Sequence, residues 1–178
     1  MKGKCYTIHL KDWEENIRGW VIDENEDWLL IHSNSNDYVF DGFSFIRKKF
    51  IDKAERGEKE QEVELVSELR KESHRLKYKF KFGDIISLIK WTEKKFGMIE
   101  FRDEEEDTIF IGTIRKIIRG EILHLNSIDP RGKINKDFGY DFELNKIRVL
   151  SFHSNYFNAV KLLWRHRSSG NRISDNAK

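Results

Sequence analysis

The chain has 178 residues, yet only one cysteine, Cys5, and one proline, Pro130. A single thiol closes no internal disulfide and leaves no multi-cysteine zinc site. No stretch approaches the roughly eighteen consecutive apolar residues of a membrane-spanning helix, and the N-terminus has no apolar leader core. The expectation is an intracellular, cytoplasmic protein with no membrane partner. An excess of one charge is lacking too: 33 Lys and Arg oppose 31 Asp and Glu. Residues 148–178 are the exception, with six basic side chains and one acidic. Nucleic-acid surfaces need clustered cations, so this balance argues against a body dedicated to that task.

Motifs with definite chemistry are missing as well. There is no G-x-G-x-x-G, no G-x-x-x-x-G-K, no nucleophile elbow and no H-E-x-x-H. The six histidines have no metal-ligand spacing. The acidic run Asp103–Asp107 lacks the alternation and glycine of a calcium loop and reads as a solvated loop. No catalytic, cofactor-binding or metal-binding residue is therefore predicted, and no cofactor.

Rings are abundant: thirteen Phe and five Trp. Each encloses much area, so short strands can build a core from them. The richest segment is 112–152. Leu123 and Leu125 lie two apart, the spacing of one strand face. Arg119-Gly120 and Asp129-Pro130-Arg131-Gly132 read as turns. Phe138, Tyr140, Phe142 and Leu144 alternate, with Ile147 and Val149 beyond. Segment 19–51 echoes it: Gly19-Trp20-Val21 against Gly112-Thr113-Ile114, Leu29 and Ile31 against Leu123 and Leu125, Phe43 and Phe45 against Phe142 and Leu144, Phe50 against Val149. A true repeat and two unrelated meanders both produce such a pattern.

Between them, 55–76 reads as a helix with a narrow stripe of Val63, Val66 and Leu69. Lys77–Phe82 alternates base and ring, as an edge strand or an arm. Residues 84–95 read as a helix capped by Asp84 and ended by Gly97. The expected fold is mainly β with helices, of the α+β class. It comprises an N-terminal β lobe at 1–51, a helical linker and arm at 52–83, a helix with a second β lobe at 84–164, and a flexible basic tail at 165–178.

The segment IIRGEILHL, around Arg119-Gly120, resembles the second signature of Sm and Sm-like RNA-binding proteins. The layout Gly-x-Ile, Leu-x-Leu, turn, aromatic strand, Ile-x-Val likewise resembles an Sm-like or SH3-like barrel. The opening lobe is similar to small bacterial proteins of that type. The first Sm signature, Asp-x-apolar-Asn, is missing, and Arg-Gly falls early in the barrel. The resemblance covers about half the chain. It implies two small barrel lobes joined by a helical segment, and an Arg119 loop that touches base and phosphate.

Three functions follow as expectations. The first is a non-catalytic interaction or regulatory protein, docking another protein or a second copy through Trp20, Trp28 and Tyr38. The second is an RNA or single-strand binder using Lys79, Lys81, Arg119, Arg131 and Lys133. The third is a hydrolase whose site is assembled from distant residues.

Overall fold

A computed structural model describes residues 1–169, with 136–140 described by backbone alone. Among the described residues the protein is mostly β, with three α-helices. All ten strands join one antiparallel sheet in the order β5-β1-β2-β3-β4-β10-β6-β7-β8-β9. In chain order they are β1 (Cys5–Leu10), β2 (Asn16–Glu24), β3 (Trp28–Asn36), β4 (Val39–Arg47), β5 (Ile51–Glu55), β6 (Ile99–Arg102), β7 (Phe110–Ile118), β8 (Ile122–Ile128), β9 (Ile134–Glu143) and β10 (Val149–Phe152). The helices are α1 (Glu58–Leu69), α2 (Ile85–Phe96) and α3 (Asn155–Ser168). Among the described residues no helix is long and apolar enough to cross a membrane.

The strand order contains the same pattern twice. In each five-strand unit the last strand returns to pair with the first: β5 with β1, and β10 with β6. The details agree. Gly19 faces Ser33 and Gly112 faces Ser127, and Val21–Ile31 and Ile114–Leu125 follow. Directly after each of these pairs comes a bulge, between Val21 and Asp23 and between Ile114 and Lys116. At both glycines an added Cβ would strike a partner-strand carbonyl, of His32 or Asn126, and a side chain, of Ile31 or Leu125. Bulges of this kind tighten the twist that curls a short sheet.

The expected echo therefore aligns through its first half and slips by three residues in its second. Leu29 faces Ile46 and Leu123 faces Phe142, so Ile46, not Phe43, matches Phe142. Lys53 opposite His9, not Phe50, matches Val149 opposite Arg102.

Two cores fill opposite faces where the units meet. One encloses Ile8, Val21, Leu29, Ile31, Ile46 and Val149. The larger joins Phe45, Leu123, Phe142 and Phe152 to α2 and α3 through Leu88, Phe96 and Phe157. Asp84 accepts the Ser87 N–H at 2.8 Å and Gly97 ends α2 at φ +84°, as expected. Other boundaries differ. β3 continues through Ser33–Asn36, although Ser and Asn favour turns, because its polar side chains find cross-strand partners. The helix stops at Leu69, and 72–83 is an extended strap rather than helix or strand. Arg165 and Arg167 belong to α3, not to a tail, whereas Arg172 and Lys178 lie outside the described residues.

Gly112→Ala and Gly19→Ala should each cost about 1–3 kcal/mol, because overpacking forces the paired backbones apart. Chemical denaturation checks this. A loss at one position with none at the other would break the equivalence of the two units.

Candidate functional site

The strap brings the chemically distinctive groups together. Along it His74, Leu76, Tyr78, Phe80 and Phe82 are half-buried, while Arg75, Lys77, Lys79 and Lys81 are exposed. Extended backbone sends successive side chains to opposite sides, so one side packs and the other stays wet. Phe80 and Phe82 meet the edge of Phe45, and Tyr78 meets Phe96 at 5.2 Å. Trp91 Nε1 donates to the Lys79 carbonyl at 3.2 Å, which fixes the strap on α2.

Its first anchor is a histidine pair. His74 Nδ1 faces His32 Nδ1 at 3.0 Å, and His74 Nε2 lies 2.5 Å from Ser67 Oγ. Trp20 stacks on His74 at 4.2 Å, and Phe43 stacks on His32 at 4.7 Å. One proton between the facing Nδ1 atoms makes one ring donor and the other acceptor; a second sets two N–H groups against each other. Burial, with His74's charge adding to it, pushes His32 down to about 4. Burial also lowers His74, against the opposing charge of Glu72. The row Ser67–His74–His32 has the connectivity of a nucleophile, a base and an orienting group. However, Ser67 is 3% exposed. A nucleophile must meet its substrate, so we read the row as a lock on the strap.

A second polar row crosses the sheet. Ser33, Ser44 and Ser151 lie in a chain of 3.0 Å hydroxyl contacts, and Ser151 faces Glu100. Glu100 is buried, and its Oε2 has no hydrogen-bond partner. Burial lifts this carboxyl to about 7, against the pull of Arg102 and with the help of Asp41. An ionised carboxylate without a partner is costly inside a protein, so the proton stays.

The expected contact residues fall in separate places. Lys79 and Lys81 are on the strap's outer side. Arg119, at φ +50°, makes the β7–β8 turn with Gly120, at φ +75°. Arg131 and Lys133 lie at the other end of β8, where both N–H groups donate to Asp129 Oδ1. Gly132 there packs against Leu163 and Trp164 of α3. Of the expected docking rings, Tyr38 is 39% exposed, whereas Trp20 is covered by His74. Trp28 must be corrected: at 1% exposure it is a core residue under Phe45 and offers no docking surface. The acidic loop is tied down, since Glu106 accepts the N–H groups of Glu14 and Glu15.

Sequence reading missed the histidine pair, whose members are 42 residues apart. It also passed over Glu100, although an acid inside the apolar run Met98–Phe101 was a visible signal. Compared with protein-family models, curated proteins and solved structures, the chain matches none.

Glu100 and His32 should shape stability against pH in opposite senses. Unfolded, Glu100 ionises near its ordinary 4.5. The folded state alone keeps that proton up to about pH 7, so stability falls as pH rises through this window. His32 binds its proton near 6.5 only when unfolded, so its contribution is lost as pH falls from 6.5 toward 4. Glu100→Gln should gain on the order of 3 kcal/mol at pH 8 and little at pH 4, by thermal melts across pH. An equal gain at every pH would show that Glu100 does not titrate.

Proposed function

We propose that the protein is a non-catalytic interaction protein and that the outer face of α1 is its docking surface. One observation carries this: α1 turns two of its acids, Glu60 and Glu64, inward and both its leucines outward. Glu60 accepts Thr7 Oγ1 at 2.7 Å and the Gly57 N–H at 2.8 Å. Glu64 accepts the Cys5 N–H at 2.9 Å and the Arg56 guanidinium at 2.8 and 2.9 Å. The Arg56 hydrogen bond, helped by Cys5 and Lys4, holds Glu64 at about 2 despite burial. Meanwhile Leu65 is 56% exposed and Leu69 72%. The expected inward stripe is thus reversed at Leu69, because β1 offers donors that carboxylates satisfy better than leucines.

Charge indicates the partner. Exposed Glu58, Glu62 and Glu68 surround the α1 leucines. α3 has no acid, and it shows Leu162 one turn before Arg165 and His166. A second copy presenting α3 to α1 matches leucine to leucine and acid to base, in a head-to-tail contact. The repeated strand order supports a further reading, that each unit is an Sm-like or SH3-like half-barrel. Folds of that kind host many functions, so the surface carries the functional argument.

Sedimentation equilibrium tests it. The wild type should self-associate with rising concentration, more weakly at high salt. Leu65→Lys with Leu69→Lys should weaken association at least tenfold with the melting midpoint unchanged. A wild type that stays monomeric to millimolar concentration removes this reading.

A further inference from the structure

The strap's outer side continues into a larger basic face. Tyr78 meets Phe96, Phe80 meets Trp91 at 6.0 Å, and Gly83 lies against Ser87, so strap and α2 run antiparallel. Lys94 and Lys95 follow Trp91 by three and four residues, which sets them on the helix side facing the strap. At the C-terminal end of α2, Lys161 Nζ lies 6.0 Å from the Phe96 ring and the Arg165 guanidinium lies beside Gly97. Among the described residues, no carboxylate forms an ion pair with Arg75, Lys77, Lys79, Lys81, Lys94, Lys95, Lys161 or Arg165. Burial, with Arg165's charge adding to it, holds Lys161 below the usual lysine range. Some cations elsewhere are neutralised by carboxylates: Lys48 by Glu24, Arg56 by Glu64, Lys146 by Glu104 and Glu143.

We propose that this face binds single-stranded nucleic acid, with Arg75, Lys77, Lys79 and Lys81 in single file along the phosphates. Three observations favour that ligand. Alternate residues of an extended chain repeat at roughly 6.6 Å, a step that one nucleotide of an extended strand can follow. A single file tracks one strand, whereas a duplex presents two strands across a groove. The strap's apolar residues point into the core, so nothing is left to anchor in a lipid surface. Tyr78, Phe80 and Phe82 are also withdrawn from base stacking. Contact is therefore to phosphates and independent of sequence, unlike binders that stack bases on exposed rings. Arg131 and Lys133 flank Gly132, which packs on Leu163 and Trp164 of α3, and they are not part of the strap.

Fluorescence anisotropy with a labelled twelve-nucleotide single strand, titrated across salt concentrations, tests the proposal. Binding should weaken steeply with salt, with a log–log slope near −0.7 per phosphate contacted, or about −3 for the four strap cations. Lys77→Gln, Lys79→Gln and Lys81→Gln together should flatten the slope by about 2 and weaken binding at least tenfold at low salt. All three side chains are exposed, so the melting midpoint should not move. Arg131→Gln with Lys133→Gln should leave the slope unchanged. Homopolymers of different bases should bind alike. The proposal is overturned if the triple variant keeps the wild-type slope. It is overturned equally if duplex, polyglutamate or anionic vesicles of phosphatidylserine compete as well as single strand. None of these outcomes bears on association through α1.

Discussion

The pairing of β4 with β10 is the contact on which the rest of the molecule depends. Ile46 faces Val149, Phe45 faces Leu150, and Phe43 faces Phe152. Alternation sends Ile46 and Val149 into one core and Phe45, Leu150 and Phe152 into the other. One short ladder thus closes two hydrophobic clusters. It is clasped from both sides. Arg47, at the end of β4, donates to the carbonyls of Leu144 and Asn145 in the second unit. Arg148, just before β10, donates to the Lys11 carbonyl and lies over Trp13 and Phe50 in the first. Each arginine reaches across to carbonyls of the other unit. Guanidinium groups suit this, because they donate several hydrogen bonds while stacking on rings.

With the two units joined, the helices and the strap are left to finish the surface, and they partition charge. α1 is drawn onto β1 by Glu60 and Glu64, which spends acids inside and displaces leucines outward. The strap does the reverse, burying rings over Phe45 and leaving its cations in water. A net charge of +2 therefore conceals an acidic, leucine-bearing helix and a basic face. Composition alone argued against a nucleic-acid surface because it averages over faces that folding separates.

Much of the architecture was legible where local chemistry decides conformation. α2 announced itself through Asp84, Gly97 and its terminal lysines. The turns at Arg119-Gly120 and Asp129–Gly132 were written in residues that tolerate or require their geometry. The inward placement of Tyr78, Phe80 and Phe82 follows from period two alone. What depends on distant partners was not legible. Ser33–Asn36 reads as a loop until Asn34 donates to the Val39 carbonyl and Ser33 meets Ser44. Leu69 reads as core until β1 claims the opposite face of α1. His32 and His74 belong to one cluster only because the strap crosses β3 at His32. Arg75 was not named with the strap cations, because the stripe begins inside what periodicity assigned to a helix.

The same strand equivalence explains why the sheet stops at ten strands. Position by position, β5 corresponds to β10, yet it carries Lys53 and Glu55 where β10 carries Val149 and Ser151. Val149 is fully buried, whereas Lys53 and Glu55 are ion-paired to each other in water. Repeating the β4–β10 junction between two molecules would set Lys53 opposite Phe142 of the next copy, as Val149 stands opposite Ile46. Desolvating a lysine there costs more than a short ladder returns. Charged edges of this kind keep sheets from growing end to end. Association through a sheet edge is thereby disfavoured.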